Sequence, residues 1–131
     1  MNATILIADD DPIIVSLLKE YLTGGKYRVL ESYDGATALT LAREQKPHLI
    51  IMDLNMPLLN GLQALEAMRA QPETKEIPIV FLSGNSSRQL SATLRNEQGV
   101  ALLEKPIDLN QLEFLLSKLL GPSSPGAHGR V

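Results

Sequence analysis

Short, continuously apolar runs alternate along this chain with longer stretches whose apolar positions recur every three or four residues. The runs are Thr4-Ile5-Leu6-Ile7-Ala8, Leu49-Ile50-Ile51-Met52, Pro78-Ile79-Val80-Phe81-Leu82 and Val100-Ala101-Leu102-Leu103, with a more polar Arg28-Val29-Leu30-Glu31-Ser32 after the first. Their lengths predict strands. The stretches between them predict helices. In the first, Ile13, Ile14, Leu17, Leu18, Tyr21 and Leu22 share a face. Asp11 is a fitting N-cap, Pro12 suits the first helical position, and Gly24-Gly25 is a stop. The second helix follows Asp34-Gly35, buries Ala38, Leu39 and Ala42, and closes at Pro47. The third starts near Asn60-Gly61, carries Leu62, Leu65 and Met68, and ends by Pro72. The fourth has a thin stripe, Leu90 and Leu94. The fifth presents Leu109, Leu112, Leu115, Leu116, Leu119 and Leu120 behind a capping-box-like Asp108 and Gln111. Residues 1–120 therefore read as one domain. The Pro-, Ser- and Gly-rich residues 121–131 read as a flexible tail or linker.

Strand–helix alternation with continuously apolar strands points to an α/β fold: a doubly wound parallel sheet with helices on both faces. The polar residues then fall in a telling place. Asp9 and Asp10 end the first strand, Asp53 the third, Ser83 the fourth, and Lys105 follows the fifth. All are carboxyl ends, so a parallel sheet gathers them along one edge, where ligands of such sheets bind.

Composition changes this picture only by exclusion. The formal charge of −3 is spread without a basic patch, which leaves no electrostatic footprint for nucleic acid. Cysteine is absent, so disulfides and thiolate metal sites are excluded. The N-terminus lacks a basic region followed by an apolar run, and no run approaches the roughly 20 residues that span a bilayer. The expectation is a soluble, cytoplasmic protein without a membrane partner. His48 and His128 lack ligand or catalytic spacing and read as surface residues. Met52, Met56 and Met68 read as core or rim filler, and Asp11 as a helix cap only.

Three clustered carboxylates repel, by about 4 kcal/mol per pair at 4 Å and an effective dielectric near 20. Oxygen ligands without His or Cys suit Mg²⁺, which favours phosphate as a co-ligand. A strand-end carboxylate can itself be a nucleophile that forms an aspartyl phosphate. The ammonium of Lys105 and the hydroxyl of Ser83 would then neutralise phosphoryl oxygens.

These residues resemble the receiver domains of two-component response regulators. The matching stretches are Ile5-Leu6-Ile7-Ala8-Asp9-Asp10-Asp11-Pro12, Met52-Asp53-Leu54-Asn55-Met56-Pro57 followed by Gly61, Leu82-Ser83, and Lys105-Pro106. The resemblance covers residues from about Ala3 to Leu120. It implies a flavodoxin-like five-stranded sheet in the order 2-1-3-4-5. It also implies that Asp53 accepts a phosphoryl group from a phosphohistidine on a sensor histidine kinase or histidine phosphotransfer protein. Asp10 would bind Mg²⁺ directly and Asp9 through water, with Asp53 and the Asn55 backbone carbonyl as further ligands. Ser83 and Lys105 would hold phosphoryl oxygens, and the Lys105–Pro106 bond would be cis. The protein would be no enzyme beyond its own phosphorylation and slow dephosphorylation. It would signal to an effector, or to its own output domain, through the face of the fourth helix, fifth strand and fifth helix.

Two positions depart from the family. Leu102 stands where receivers carry Tyr or Phe, which removes the ring that normally reports phosphorylation to that face. Gly84 stands where Ala is more usual. Two alternatives accompany the receiver reading: a degenerate receiver that binds partners without being phosphorylated, and a haloacid-dehalogenase-type phosphatase. The latter wants Asp-x-Asp, and Asn55 occupies the second position here.

Overall fold

Side chains alternate between two apolar layers along each parallel strand, and this alternation organises the molecule. The computed structural model describes residues 3–25, 27–84 and 88–120, without the side chains of 88–90. The tail 121–131, including His128, and the side chain of Leu90 lie outside the described residues.

In chain order the elements are β1 (Thr4–Ala8), α1 (Pro12–Gly24), β2 (Arg28–Ser32), α2 (Gly35–Gln45), β3 (Leu49–Asp53), β4 (Asn55–Met56), β5 (Leu59–Asn60), α3 (Gly61–Arg69), β6 (Ile79–Ser83), α4 (Arg88–Leu94), β7 (Val100–Glu104) and α5 (Leu109–Leu120). The five long strands pair in parallel in the order β2-β1-β3-β6-β7. Without the two short strands this is the flavodoxin-like order 2-1-3-4-5 expected from the sequence. Leu6, Ala8, Ile50, Met52, Ile79 and Phe81 form one core with Ala38 and Ala42 of α2, Ala64, Leu65 and Met68 of α3, and Leu94 of α4. Ile5, Ile7, Leu49, Ile51, Val80, Leu82 and Leu103 form the other with Val15, Leu18 and Leu22 of α1 and Leu112 and Leu116 of α5. All five residues of β3 are buried, as are those of β6, which accounts for their unbroken hydrophobicity.

The helix starts follow the capping logic read from the sequence. Asp11 accepts from the Ile13 amide, and Asp34 accepts from the Thr37 amide. Asp108 accepts from the Asn110 amide at 2.9 Å. A complete capping box forms at Asn60 and Gln63, where each side chain accepts from the other's backbone amide. His48 is exposed, and its Nδ1 accepts from the Thr4 amide at 2.9 Å.

Two local readings need correction. The buried stripe of α1 is Val15, Leu18 and Leu22, whereas Ile13 is 75% exposed and Leu17 46%. A helix lying on one face of a sheet buries a narrow stripe, and the denser apolar pattern of α1 overfills it. In α5 likewise only Leu112 and Leu116 are fully buried, with Leu109, Leu115, Leu119 and Leu120 flanking them half-buried. After Asp53 the chain forms an antiparallel β4–β5 hairpin, with Asn55 opposite Asn60 and Met56 opposite Leu59. Pro57 suits the first central position of its turn, and Leu58 takes the left-handed φ of 70° at the second. That position usually carries glycine, so no hairpin is legible in these residues.

Gly61 anchors this hairpin to the core. A Cβ there would lie 2.5 Å from Leu54 Cδ1 and 3.1 Å from Phe81 Cε1, and both side chains are fully buried. Gly61→Ala should therefore destabilise the protein by about 1–3 kcal/mol, the usual penalty of overpacking. A urea midpoint unchanged from wild type would show that the core yields at this point.

Candidate functional site

The parallel registers set Ala8 beside Met52, Asp53 beside Leu82, and Ser83 beside Glu104. The chemistry-bearing residues predicted from the sequence therefore meet at one edge. Asp9 is wholly buried and Asp53 nearly so, while Asp10 is exposed. Carboxylate oxygens of these three residues all lie within 4.8 Å of one another. Lys105 reaches into the group from the end of β7. Its Nζ lies 3.2 Å from Asp9 Oδ2 and 3.5 Å from Asp53 Oδ1.

Local backbone geometry fixes the acids. Asp9 Oδ1 accepts from the Asp11 amide at 2.9 Å, and Asp53 Oδ1 accepts a longer bond, 3.4 Å, from the Asn55 amide. The Lys105–Pro106 peptide bond is cis. Asn55 itself is exposed, in β4.

Charge is only partly balanced here. Burial pushes the Asp9 carboxyl above its ordinary pKa and the charge of Asp53 adds to this. The Asp11 amide and the Lys105 ammonium oppose it without prevailing. Burial alone would lower the pKa of Lys105, but the combined attraction of Asp53 and Asp9 raises it, so the ammonium is held charged. Asp9 Oδ2 is buried with no hydrogen-bond partner, and the ammonium contact is its described compensation. Three acids and one ammonium leave an excess of negative charge around oxygen donors alone. That donor set fits a hard divalent cation of the Mg²⁺ type.

Ser83 is buried at the end of β6, the strand next to β3, and its side chain meets α4. Its hydroxyl lies 3.0 Å from the hydroxyl of Ser91, on α4. Residues 83, 84, 91, 95, 102, 104 and 105 line a cavity of about 410 Å³ beside it. Leu102 is half-buried against the α2–α3–α4 core, and a Cβ on Gly84 would meet nothing within 4 Å. Ser91 was not singled out from the sequence. The available signal was a serine three residues before Leu94, on the core-facing stripe of a helix with few apolar residues.

Residues 5–117 match the family described as the response regulator receiver domain. The chain belongs to that family. Among curated relatives of this receiver is the protein PilH of Pseudomonas aeruginosa, 32% identical over 118 residues, which are 90% of this chain and 98% of PilH. The response regulator GtcR of Aneurinibacillus migulanus is 38% identical over 86 residues, which are 66% of this chain but only 34% of GtcR. Among solved structures, the receiver domain of the sensor histidine kinase PA1611 from Pseudomonas aeruginosa superposes with a TM-score of 0.82 at 28% identity, covering 92% of this chain and 99% of that one. That structure holds a magnesium ion in its active-site cleft. The chemotaxis response regulator CheY4 of Vibrio cholerae gives 0.81 at 28% identity, over 91% and 99% of the two chains. Receivers are signalling modules and not metabolic enzymes. None of the described helices is long and apolar enough to cross a membrane.

The raised pKa of Asp9 has a consequence for stability. Above that pKa the folded receiver carries a charge it would be better without. Asp9→Asn keeps the Oδ1 acceptor and removes the charge, so in metal-free buffer at neutral pH it should melt higher than wild type. As pH falls through the raised pKa, the wild-type carboxyl takes up its proton in the folded state first, and the gap should close. A lower melting temperature for Asp9→Asn at neutral pH would contradict this charge balance.

Proposed function

We propose that this receiver accepts a phosphoryl group from a phosphohistidine onto Asp53. The observation that carries the reading is the Lys105 ammonium within 3.2 Å of Asp9 and 3.5 Å of Asp53, at the rim where β1, β3 and β7 end. In the transfer an Asp53 carboxylate oxygen forms a bond to phosphorus as the phosphorus–nitrogen bond breaks. The imidazole nitrogen keeps the electron pair and takes up a proton. Hydrolysis of the resulting acyl phosphate releases inorganic phosphate and restores the carboxylate.

Each residue has a role in that step. Asp53 is the nucleophile. Lys105 neutralises a phosphoryl oxygen as charge accumulates on it, and Ser83 donates a hydrogen bond to another. Asp10, Asp9, Asp53 and the Asn55 carbonyl would hold Mg²⁺, Asp9 through water; when bound, the cation supplies further neutralisation of the phosphoryl oxygens. The donor is a sensor histidine kinase or histidine phosphotransfer protein in the cytoplasm. The signal passes to an effector or an output domain across the face of α4, β7 and α5.

Asp53 should gain one phosphoryl group from acetyl phosphate in a reaction that a chelator abolishes, read as an intact-mass increase. Asp53→Asn should gain none, and Lys105→Ala should fold yet give no downstream response. Labelling of Asp53→Asn as strong as wild type would displace the acceptor to another residue. No adduct on the wild type would favour a phosphorylation-independent binding module.

The metal roles can be ranked. Without phosphate, Mg²⁺ should bind weakly, because few protein ligands replace its water. Titration should show a larger loss of affinity for Asp10→Ala than for Asp9→Ala. Equal losses would reject direct coordination by Asp10 and water-mediated coordination by Asp9.

A further inference from the structure

The Ser83 hydroxyl, assigned above to a phosphoryl oxygen, already has a buried partner on α4. Ser83 and Ser91 are both buried, at 7% exposure, with their oxygens 3.0 Å apart. The other described contact of the Ser83 hydroxyl, to the Gly84 carbonyl, is longer at 3.4 Å. Ser91 sits one turn before Leu94, which is wholly buried in the core under α4. Leu102 lines the same cavity and offers no hydrogen-bonding group.

A hydroxyl has one proton and two lone pairs. If Ser83 donates to Ser91, its proton is turned away from Asp53. If Ser91 donates to Ser83, the Ser83 proton is free for an anion on Asp53. A charged phosphoryl oxygen is a stronger acceptor than a neutral hydroxyl, so the anion selects the second arrangement. The hydrogen bonds then run from Ser91 to Ser83 to the phosphoryl oxygen, each polarising the next.

We propose that Ser91 is a positioning residue for phosphoryl transfer: it fixes the Ser83 hydroxyl as a donor and ties α4 to the occupancy of Asp53. This rests on the phosphoacceptor reading of Asp53. The link from site to helix then runs through a hydroxyl pair, in a receiver whose position 102 has no ring to carry it.

The test uses the full chain with Mg²⁺ and acetyl phosphate, following the rate of the mass increase on Asp53. Ser91→Ala should slow it roughly three- to tenfold, on the scale of a weakened hydrogen bond to a charged group. Ser83→Ala should slow it at least as much, and the double variant should be no slower than Ser83→Ala alone. Ser91→Thr, which keeps a hydroxyl, should recover most of the rate. A wild-type rate for Ser91→Ala, or effects of the two substitutions that multiply, overturns the inference and leaves the acceptor reading standing. A slow Ser91→Ala with a lowered melting temperature and no rescue by threonine marks a packing role and also overturns it. A wild type that takes no phosphoryl group overturns both.

Discussion

One ammonium group holds two carboxylates within ion-pair distance at the rim of the sheet, and the site depends on that contact. Asp9 and Asp53 sit at the ends of neighbouring strands and are both largely withdrawn from water. Left alone, the two charges would repel. Lys105 lies across both, at the price of partial burial of its own charge. The compensation is incomplete, since one oxygen of Asp9 has no hydrogen-bond partner among the described residues and its carboxyl gives up its proton reluctantly. An electrostatic deficit at the sheet edge is what the proposed uptake of a cation and a phosphoryl group would relieve.

The rest of the fold supplies the rigidity. Two apolar layers clamp β1, β3 and β6 from both sides, so the strand ends have little freedom to relax away from one another. The hairpin after Asp53 is held by Gly61 under Leu54 and by the capping box at Asn60. At the opposite end of the sheet, the Arg69 guanidinium of α3 donates to the carbonyls of Ile77 and Gln98, which lead into β6 and β7. The strands that present Ser83 and approach Lys105 are thus pinned at their origins.

Most of this was legible in the chain. Runs such as Leu49-Ile50-Ile51-Met52 announce strands buried on both faces, and a parallel sheet of such strands has one edge where polar ends must collect. Asp9, Asp10, Asp53, Ser83 and Lys105 stand at those ends, so their convergence followed from topology. What escaped notice depended on geometry that periodicity does not encode. The β4–β5 hairpin is too short to show alternation, and its left-handed residue is a leucine. The excess apolar residues of α1, Ile13 and Leu17, fit the helical period as well as the buried ones do. Ser91 carries no motif, and its contact with Ser83 arises only when α4 is laid against β6.

The alternation of side chains along β3 also sets a rule about chain length. Asp53 faces Lys105 because it is an odd number of residues from Met52's layer and level with Leu82 on β6. Inserting or deleting one residue within the strand would turn the carboxylate to the other face of the sheet. A change of two would restore the face but carry the carboxylate about 6–7 Å along the strand, nearly twice the 3.5 Å that now separates it from the ammonium. Between the fixed start of β3 and its acid, the number of residues is therefore as constrained as any of their identities. One apolar residue can replace another along this strand, but a change in its length moves the acid away from the ammonium.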